Sequence, residues 1–239
     1  MPRVLIEVVP VAARVQAGLA GLVDPAGSDT VGVAIDVLRA TSTLTRALCN
    51  GAVGVVPFAD PAAALAFRKR NPGSLACGER DGAIVPGFDL GNSPLEYTRD
   101  RVSGRTLAFA STNGSRAMLS QSGCRVRLLG AFINASAVVR ACADAAQVCL
   151  TCAGDRGQIS HEDLACAGWI AQALVERGFE PTGADTALAI DAAPNGAEAV
   201  RTAVEDSPHA RALAMLGADF QRDVAYCAML NVVPHCPTW

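Results

Sequence analysis

An aspartate, an arginine and two hydroxyl side chains follow one another where an apolar run of the chain ends. Residues 31–37 form that run; Asp36 lies at its end, and Arg39, Thr41 and Ser42 follow directly. A buried carboxylate is costly unless it is used, and it can bind a hard cation such as Mg²⁺. The helix N-terminus predicted to follow offers free N–H groups to a phosphate. We therefore predict Asp36 as a catalytic group and metal ligand. The predicted substrate-binding residues here are Arg39, Thr41 and Ser42.

This segment has a plainer interpretation as well. Thr41 or Ser42 could do no more than cap the helix, because hydroxyl side chains accept hydrogen bonds from the first N–H groups of a helix. Asp36 would then simply pair with Arg39. The two interpretations differ in where the carboxylate and the guanidinium group point.

A second polar cluster follows the short predicted strand 75–77. Glu79 and Arg80 come directly after it, and Asn92 lies further along the glycine-rich and proline-rich stretch 79–100. Long loops inside compact domains are often functional. We predict Glu79 as a second metal ligand and Arg80 and Asn92 as substrate-binding residues. The alternative is an ordinary surface loop with glycine turns.

The third cluster leads straight from a predicted strand into a predicted helix at residues 111–116. Gly114 permits positive φ, and Ser115 with the neighbouring N–H groups could hold an oxyanion. Arg116 could form a forked contact to the same anion. We predict Asn113, Gly114, Ser115 and Arg116 as substrate-binding residues. The G-x-x-x-x-G-K-[ST] nucleotide loop is absent, and a capped helix start is the alternative.

The fourth cluster opens the longest predicted helix with Glu162 and Asp163. Acids in a first turn stabilise any helix through its dipole, which is their plainer interpretation. We keep both residues as catalytic acid/base groups or metal ligands. For His161 a surface or capping role is favoured, and His209 and His235 receive no predicted role.

Apolar runs of strand length alternate with helical patterns along most of the chain. This alternation predicts a single α/β domain over residues 1–239, with a mainly parallel sheet covered by helices in three layers. Residues 183–228 are mostly helical and form a candidate subdomain. Ligands of open α/β sheets bind beyond the carboxyl ends of the strands, where the four clusters lie. The predicted strands are 31–37, 53–57, 75–77, 105–111, 125–129 and 148–152, and the predicted helices are 41–49, 61–70, 114–121, 135–142 and 160–177.

Composition excludes several classes of protein. Hydrophobic residues make up 51% of the chain, charged residues 18%, and the net charge is −3, with no basic stripe for nucleic acid. The apolar run 4–11 is too short to span a bilayer. The nine cysteines, without a signal peptide, predict reduced thiols in a cytoplasmic protein. Cys149 and Cys152 fall on a predicted strand and point to opposite faces, which argues against a zinc or redox pair.

Taken together and in order, the clusters resemble the 2-phosphosulfolactate phosphatase family, the ComB-like phosphatases of coenzyme M synthesis. The resemblance covers about residues 30–175. Ser42 and Ser115 stand where the family usually has threonine, and both keep the hydroxyl group. The matching stretches are IDVLRATST (35–43), GER (78–80), GFDLGNSP (87–94), STNGSRA (111–117), FIN (132–134), CAG (152–154), ED (162–163) and CAG (166–168).

The resemblance implies an α/β fold of the family's own kind and Mg²⁺-dependent hydrolysis of 2-phospho-3-sulfolactate to 3-sulfolactate and phosphate. Such a substrate carries phosphate, carboxylate and sulfonate, so Arg39, Arg80 and Arg116 suit it. A water activated by the metal is the simplest nucleophile, and an aspartyl-phosphate on Asp36 is the rival. Leu38 stands where haloacid-dehalogenase phosphatases have their second aspartate, which excludes that family.

Two other functions use the same residues. A non-catalytic module that binds a phosphorylated metabolite would need the arginines and helix N-termini, but it would gain nothing from the surplus of carboxylates. A Rossmann-type nucleotide enzyme ranks last, because G-x-G-x-x-G follows none of the predicted strands. The predicted partner is therefore a small phosphorylated anion, with neither nucleic acid nor membrane, and homo-oligomerisation stays open.

Overall fold

The computed structural model describes residues 1–7 and 29–239. The strands are β1 (Arg3–Glu7), β2 (Thr30–Ile35), β3 (Gly54–Pro57), β4 (Leu75–Arg80), β5 (Ala83–Ile84), β6 (Thr106–Ala110), β7 (Val126–Gly130), β8 (Gln147–Cys152) and β9 (Glu180–Thr182). The α-helices are α1 (Ala40–Cys49), α2 (Pro61–Arg70), α3 (Arg99–Val102), α4 (Gly114–Ser120), α5 (Ala135–Ala141), α6 (His161–Val175), α7 (Ala184–Asp191), α8 (Gly196–Glu205), α9 (Pro208–Ala214) and α10 (Ala218–Cys227).

The described strands form two sheets. The larger sheet is parallel throughout and has the order β7-β2-β8-β1-β9. The smaller sheet has the order β3-β6-β4-β5, with only β5 antiparallel to its neighbour. This confirms the predicted α/β class and the mainly parallel pairing. The division into two sheets was not predicted, because alternation along a chain reveals strands but not which strands share hydrogen bonds.

Alternate residues of β2 face two different hydrophobic cores. Val31, Val33 and Ile35 join a core with helices α5 and α6, whereas Ala34 faces a core that contains Leu44 of α1. This second core also includes residues of the smaller sheet, so α1 and α4 connect the two sheets. Helices therefore cover both faces of the larger sheet, as the three-layer prediction requires.

The hairpin between β4 and β5 corrects the prediction of a continuous loop after residue 77. β4 continues to Arg80, and β5 pairs with it in antiparallel register. Asp81 and Gly82 connect the two strands with φ of 51° and 82°. An Asp-Gly pair with positive φ at both positions is typical of a tight hairpin turn, so the signal was present in the sequence.

The start of α1 also differs from its prediction. Arg39 is the residue before the helix, and its own side chain makes no capping hydrogen bond. Thr41 Oγ1 instead donates to a backbone carbonyl oxygen, and lies 2.8 Å from Asp36 O and 2.7 Å from Gly130 O. Ser42 Oγ donates to Val37 O at 2.8 Å. Both hydroxyls lie inside the first turn, so the predicted cap at Thr41 or Ser42 is wrong.

The C-terminal helices pack onto the same core as the larger sheet. Val200, Leu213 and Val224 share that core with Val4 and other strand residues. Asn195 precedes α8 and Ser207 precedes α9, and the Ser207 side chain caps the helix by accepting from Ala210 N. Whether residues 183–228 deserve the name of a subdomain stays a prediction.

The last residues of the chain run along the open edge of β7. Thr238 forms an antiparallel bridge with Leu128, and the Arg127 guanidinium group lies 4.7 Å from the Trp239 ring centre. The tail thus covers an edge strand with backbone and side-chain contacts. In the described parts of the chain, no helix combines the length and apolarity needed to cross a bilayer. Residues 4–7 of the apolar run 4–11 belong to β1, and residues 8–11 lie outside the described ranges.

Candidate active site

A cleft of about 270 Å³ lies beyond the carboxyl ends of β2, β4 and β6. The loop after β8 and helix α9 complete its walls. The residues that line the cleft are Asp36, Leu38, Arg39, Glu79, Asp81, Gly82, Asn92, Thr112, Asn113, Asp155, Arg156, His209, Ala212, Leu213 and Leu216. Segments from all four predicted clusters or their immediate neighbours meet here, together with a helix to which the sequence assigned no role.

Asp36 is buried at the inner end of the cleft, one residue after β2. Its Oδ1 accepts a hydrogen bond of 3.2 Å from Ala40 N at the start of α1. Burial raises the pKa of Asp36 to about 6; the Glu79 and Glu162 carboxylates add to the rise, and His209 opposes it. A buried carboxylate with a raised pKa, facing a cleft, is a typical feature of an active site.

Gly114 lets the start of α4 approach this carboxylate closely. A Cβ atom at position 114 would lie only 2.5 Å from Asp36 Oδ2 and 2.5 Å from Ala40 Cβ. No real side chain tolerates such contacts, so only glycine fits. The predicted phosphate-binding glycine thus has a steric role beside Asp36.

Arg39 is held from behind by helix α10. Its Nη1 lies 2.6 Å from Asp223 Oδ2, and the guanidinium group stacks 4.6 Å from the Phe220 ring centre. Asp223 also accepts a hydrogen bond of 2.5 Å from Ser93 Oγ. The predicted pairing of Asp36 with Arg39 is therefore wrong, and the arginine has a different, buried partner.

Glu79 ties the β4–β5 hairpin to the end of β6. Its Oε1 accepts from Thr112 N at 2.7 Å, and its Oε2 accepts from Gly82 N at 2.8 Å. These two hydrogen bonds fix the orientation of the carboxylate in the cleft wall.

Glu162 and His209 form a hydrogen-bonded pair at the edge of the cleft. Glu162 Oε1 lies 3.0 Å from His209 Nδ1 and accepts from Ser160 Oγ at 2.6 Å. Burial opposes ionisation of Glu162, but the contacts with His209 and Ser160 outweigh it and lower the pKa of the carboxyl. Burial likewise opposes charge on His209, but the Glu162 carboxylate prevails and raises the pKa of the imidazole.

Asp163 holds the backbone beneath the cleft and does not line it. Its Oδ1 accepts from Val37 N at 2.8 Å, and its Oδ2 accepts from Gly154 N at 3.1 Å. Burial raises its pKa well above the ordinary value, and the neighbouring Glu162 adds to the effect. Through these two hydrogen bonds, Asp163 connects the segment that follows β2 to the loop that follows β8.

Several predicted substrate-binding residues do not reach the cleft. Thr41, Ser42 and Ser115 are fully buried, and Ser115 Oγ accepts from Ser111 N at 2.9 Å. Arg80 turns away and donates to Ala59 O at 2.6 Å, and Arg116 is exposed on α4. The three hydroxyl groups form hydrogen bonds with the backbone instead of facing the cleft. Of the three predicted arginines, Arg39 is the one that lines the cleft.

Asn92 and Asn113 do line the cleft, as the sequence predicts for substrate contacts. Asn92 is buried, and its Oδ1 has no hydrogen-bond partner among the residues that the structure describes. A buried amide oxygen without a partner is costly, so this atom is available to a ligand in the cleft.

His209 and Asp223 are the residues that sequence reasoning missed. Both lie on C-terminal helices, and their partners are 47 to 184 residues away in the chain. The Ser207-Pro208 helix start is the one local signal near His209, and it indicates a cap, not a site. Arg156, which precedes Glu162 and Asp163 in the same polar segment, also lines the cleft, although the sequence predicted no role for it.

Carboxylates exceed cationic groups along the cleft. Asp36, Glu79, Asp81 and Asp155 face two arginines and His209. In residues 1–7 and 29–239, no group of three or more His, Cys, Asp or Glu could hold a metal ion alone. Mg²⁺, however, needs only one or two carboxylates and takes its other oxygens from water and substrate phosphate. The carboxylates of the cleft and the unpartnered Asn92 oxygen fit such an ion.

Comparison with known proteins shows which family the chain belongs to. The family model described as 2-phosphosulpholactate phosphatase matches residues 22–239. A Thermotoga petrophila protein named "Probable 2-phosphosulfolactate phosphatase" is 37% identical over 206 residues, covering 86% of this chain and 87% of the relative. Proteins of the same name from Symbiobacterium thermophilum, 37% identical over 214 residues (87% of this chain, 91% of the relative), and Synechococcus sp. (strain JA-3-3Ab), 38% identical over 220 residues (89% and 90%), are also similar. The chain belongs to the 2-phosphosulpholactate phosphatase family of phosphoric monoester hydrolases.

Proposed function

We propose that this chain hydrolyses the phosphate monoester of a small anionic hydroxy acid, with 2-phospho-3-sulfolactate as substrate and 3-sulfolactate and phosphate as products, in a Mg²⁺-dependent reaction. The observation that carries the proposal is the convergence of Asp36, Glu79 and Arg39 at one cleft. The names of the family and of the relatives support the choice of substrate. The same resemblance supports a place in coenzyme M synthesis in the cytoplasm.

The size of the cleft supports a small substrate. Clefts that bind drug-sized ligands range from roughly 300 to 1,000 Å³, and this one is about 270 Å³. A phosphorylated three-carbon acid suits that volume better than a nucleotide does. Leu213 and Leu216 supply an apolar side that limits access of bulk water to the bound ester.

Asp36 and Glu79 are the residues that would hold Mg²⁺. When bound, Mg²⁺ would neutralise the excess of carboxylates and stabilise charge on the phosphoryl oxygens. Asn92 can add its unpartnered oxygen to the same region. Without a cation, the acidic lining would repel a substrate that carries phosphate, carboxylate and sulfonate.

Arg39 is the residue that suits the anionic groups of the substrate. Asp223 and Phe220 fix its side chain before a ligand arrives, so little rotamer entropy is lost on binding. The Asn113 amide, which also lines the cleft, offers a further donor. Water then attacks phosphorus, and the ester oxygen leaves with the hydroxy acid.

The test is phosphate release by the purified protein from phosphosulfolactate, with Mg²⁺ and with EDTA. We expect release with Mg²⁺, loss in EDTA and recovery when Mg²⁺ is restored. Release that EDTA does not abolish would contradict the role of the metal. Tight binding without turnover of any phosphorylated hydroxy acid would instead favour the non-catalytic binding module. A panel with phospholactate and phosphoglycerate would define which acid the cleft prefers.

A further inference from the structure

Hydrolysis of an aliphatic phosphate ester releases an alkoxide unless the leaving oxygen receives a proton. An alkoxide is a strong base, so a positioned proton donor accelerates its departure, typically by about 10²–10⁴-fold. The residues assigned so far bind the metal and the anions, and none of them donates this proton. The inference below rests on the proposed phosphatase activity and supplies the missing group.

His209 is the side chain in the cleft with the right chemistry and geometry. Its Nδ1 lies 3.0 Å from the buried Glu162 Oε1, while the ring lines the cleft and is 21% exposed. Nδ1 and Nε2 are separated by one ring carbon and point in different directions. With Nδ1 bound to Glu162, Nε2 is the nitrogen that can interact with a ligand in the cleft. The ionised Glu162 acceptor also fixes the proton on Nδ1 in the neutral ring.

Other ionisable groups near the cleft are less suited to the task. Both oxygens of Asp163 are bound to backbone N–H groups, and Glu162 is 1% exposed behind His209. His161 and His235, the other histidines of the chain, do not line the cleft. Among the described residues, His209 thus combines access to the cleft with a fixed orientation.

We propose that His209 is the general acid that protonates the leaving hydroxyl oxygen, with Glu162 as the residue that positions it. The bond between phosphorus and the ester oxygen breaks, and that oxygen takes the electron pair together with the proton on Nε2. The attacking water forms the new bond to phosphorus, and one of its protons passes to solvent. The neutral ring then regains a proton from solvent, so the cycle consumes one water and releases the hydroxy acid and phosphate.

The charges around His209 favour the protonated ring that this step requires. Burial lowers its pKa, but the hydrogen bond and charge of Glu162 raise it, and Asp155 and Asp36 add to the rise. Arg39 and Arg156 are the arginines that line the same cleft. The balance is a raised pKa of the imidazole, because the Glu162 carboxylate outweighs burial.

The first experiment compares His209→Asn with His235→Asn, which makes the same change at an exposed residue outside the cleft. We expect His209→Asn to lower kcat/KM for phospholactate or phosphosulfolactate by about 10²–10⁴-fold. The alkaline limb of the wild-type pH profile should disappear in this variant. His235→Asn should keep the wild-type rate and profile, and thermal unfolding of both variants shows whether they are folded.

The second experiment varies the leaving group on an otherwise matched substrate. A trifluoromethyl analogue of phospholactate releases a more acidic hydroxyl group and needs less protonation. His209→Asn should therefore slow the trifluoromethyl ester much less than phospholactate itself. Equal losses on the two esters would show that His209 binds the substrate or supports the fold. A wild-type rate on both esters would show that the reaction does not need His209. Either result would overturn the proposal.

The third experiment reads the pair without any turnover. The chain has three histidines, so ring-proton NMR with His209→Asn identifies the His209 signal. Glu162→Gln should shift the midpoint of that signal to lower pH, because the main charge that favours the protonated ring is removed. An unchanged midpoint would overturn the role of Glu162. If Glu162→Gln shifted the midpoint but wild-type protein hydrolysed no phosphate ester, the phosphatase proposal would fail while the Glu162–His209 pair itself stood.

Discussion

The cleft has two walls that are built in different ways. The strand-end wall presents Asp36 and Glu79, whose oxygens accept hydrogen bonds from nearby backbone N–H groups. The helical wall presents His209 and, behind Arg39, Asp223, which bind other side chains across 47, 130 and 184 residues. One wall is fixed by the strands that carry it, and the other only by the docking of α9 and α10.

This difference separates chemistry from positioning. Changes in the strand-end wall should remove catalytic charge and leave the fold intact. Changes in the helical wall should leave the side chains of Arg39 and His209 less well positioned. They should also weaken the packing of the helices against the sheet and lower the free energy of unfolding. Four variants, in order of expected effect, test whether the walls differ in this way.

The largest effect is expected for Asp36→Asn in the strand-end wall. Loss of the carboxylate should lower kcat/KM by about 10²–10³-fold or more, because charge at the phosphoryl group is no longer balanced. Burial already disfavours the charged form of Asp36, so the neutral amide should leave thermal stability in EDTA at pH 7 unchanged or higher. Near-normal turnover would remove Asp36 from the site, and a large drop in stability would contradict the comparison.

Asp223→Ala tests the helical wall. A hydrogen bond to a charged group contributes about 1.5–3 kcal/mol, so kcat/KM should fall by about 10- to 100-fold, mainly through KM. Leaving the Arg39 charge buried without its partner should also lower the free energy of unfolding by about 3 kcal/mol. Steady-state kinetics and urea unfolding measure the two effects.

The matched control is Asp219→Ala on the same helix. Asp219 pairs with Arg222 at the surface, and exposed ion pairs contribute less than about 1 kcal/mol. Its kinetics and stability should stay close to wild type. If the two substitutions had equal effects, the position of the lost carboxylate on α10 would not matter, and Asp223 would have no special role.

Gly114→Ala tests the contact between α4 and the strand-end wall. The added Cβ would overlap Asp36 Oδ2 and Ala40 Cβ, and overpacking of this kind costs about 1–3 kcal/mol. We expect lower thermal stability and a lower rate, since the carboxylate must shift. Gly73→Ala is the control, because a Cβ at position 73 meets no atom within 4 Å. A neutral Gly114→Ala variant would show that the carboxylate moves freely.

The smallest effect concerns stability against pH. The folded-state pKa of His209 is raised, so its contribution is complete below the unfolded value near 6.5 and is lost as pH rises through the folded value. The pKa of Glu162 is lowered, so its contribution is lost as pH falls through that value. Between the lowered pKa of Glu162 and the raised pKa of His209, the pair should therefore add about 1–2 kcal/mol to the free energy of unfolding. Urea unfolding of wild type and Glu162→Gln across pH should show the difference, and parallel curves would contradict it.

The strand-end wall could be predicted because its signals are local. Asp36 and Asn113 lie just after strands and Glu79 lies near the end of one, and the carboxyl ends of parallel strands meet at one edge. The fold class followed from the same alternation of strands and helices. Local sequence also contained the Asp81-Gly82 hairpin signal, which was overlooked within a longer glycine-rich stretch.

The helical wall could not be predicted in this way. Nothing near His209 or Asp223 distinguishes them from other polar residues on amphipathic helices, because their partners are supplied only by tertiary packing. Sequence could not give the direction of a side chain either: Arg80 and Arg116 have suitable chemistry but do not line the cleft. Residue type indicates what a group can do, and only packing decides where it does it.

The bridge between Thr238 and Leu128 bears on how the protein is made. A ribosome completes β7 more than a hundred residues before it adds the segment that covers the free edge of this strand. Until then the nascent chain presents an unpaired row of N–H and C=O groups to any neighbouring polypeptide. A chain truncated before Thr238 would keep the same edge uncovered after release, and we expect it to aggregate.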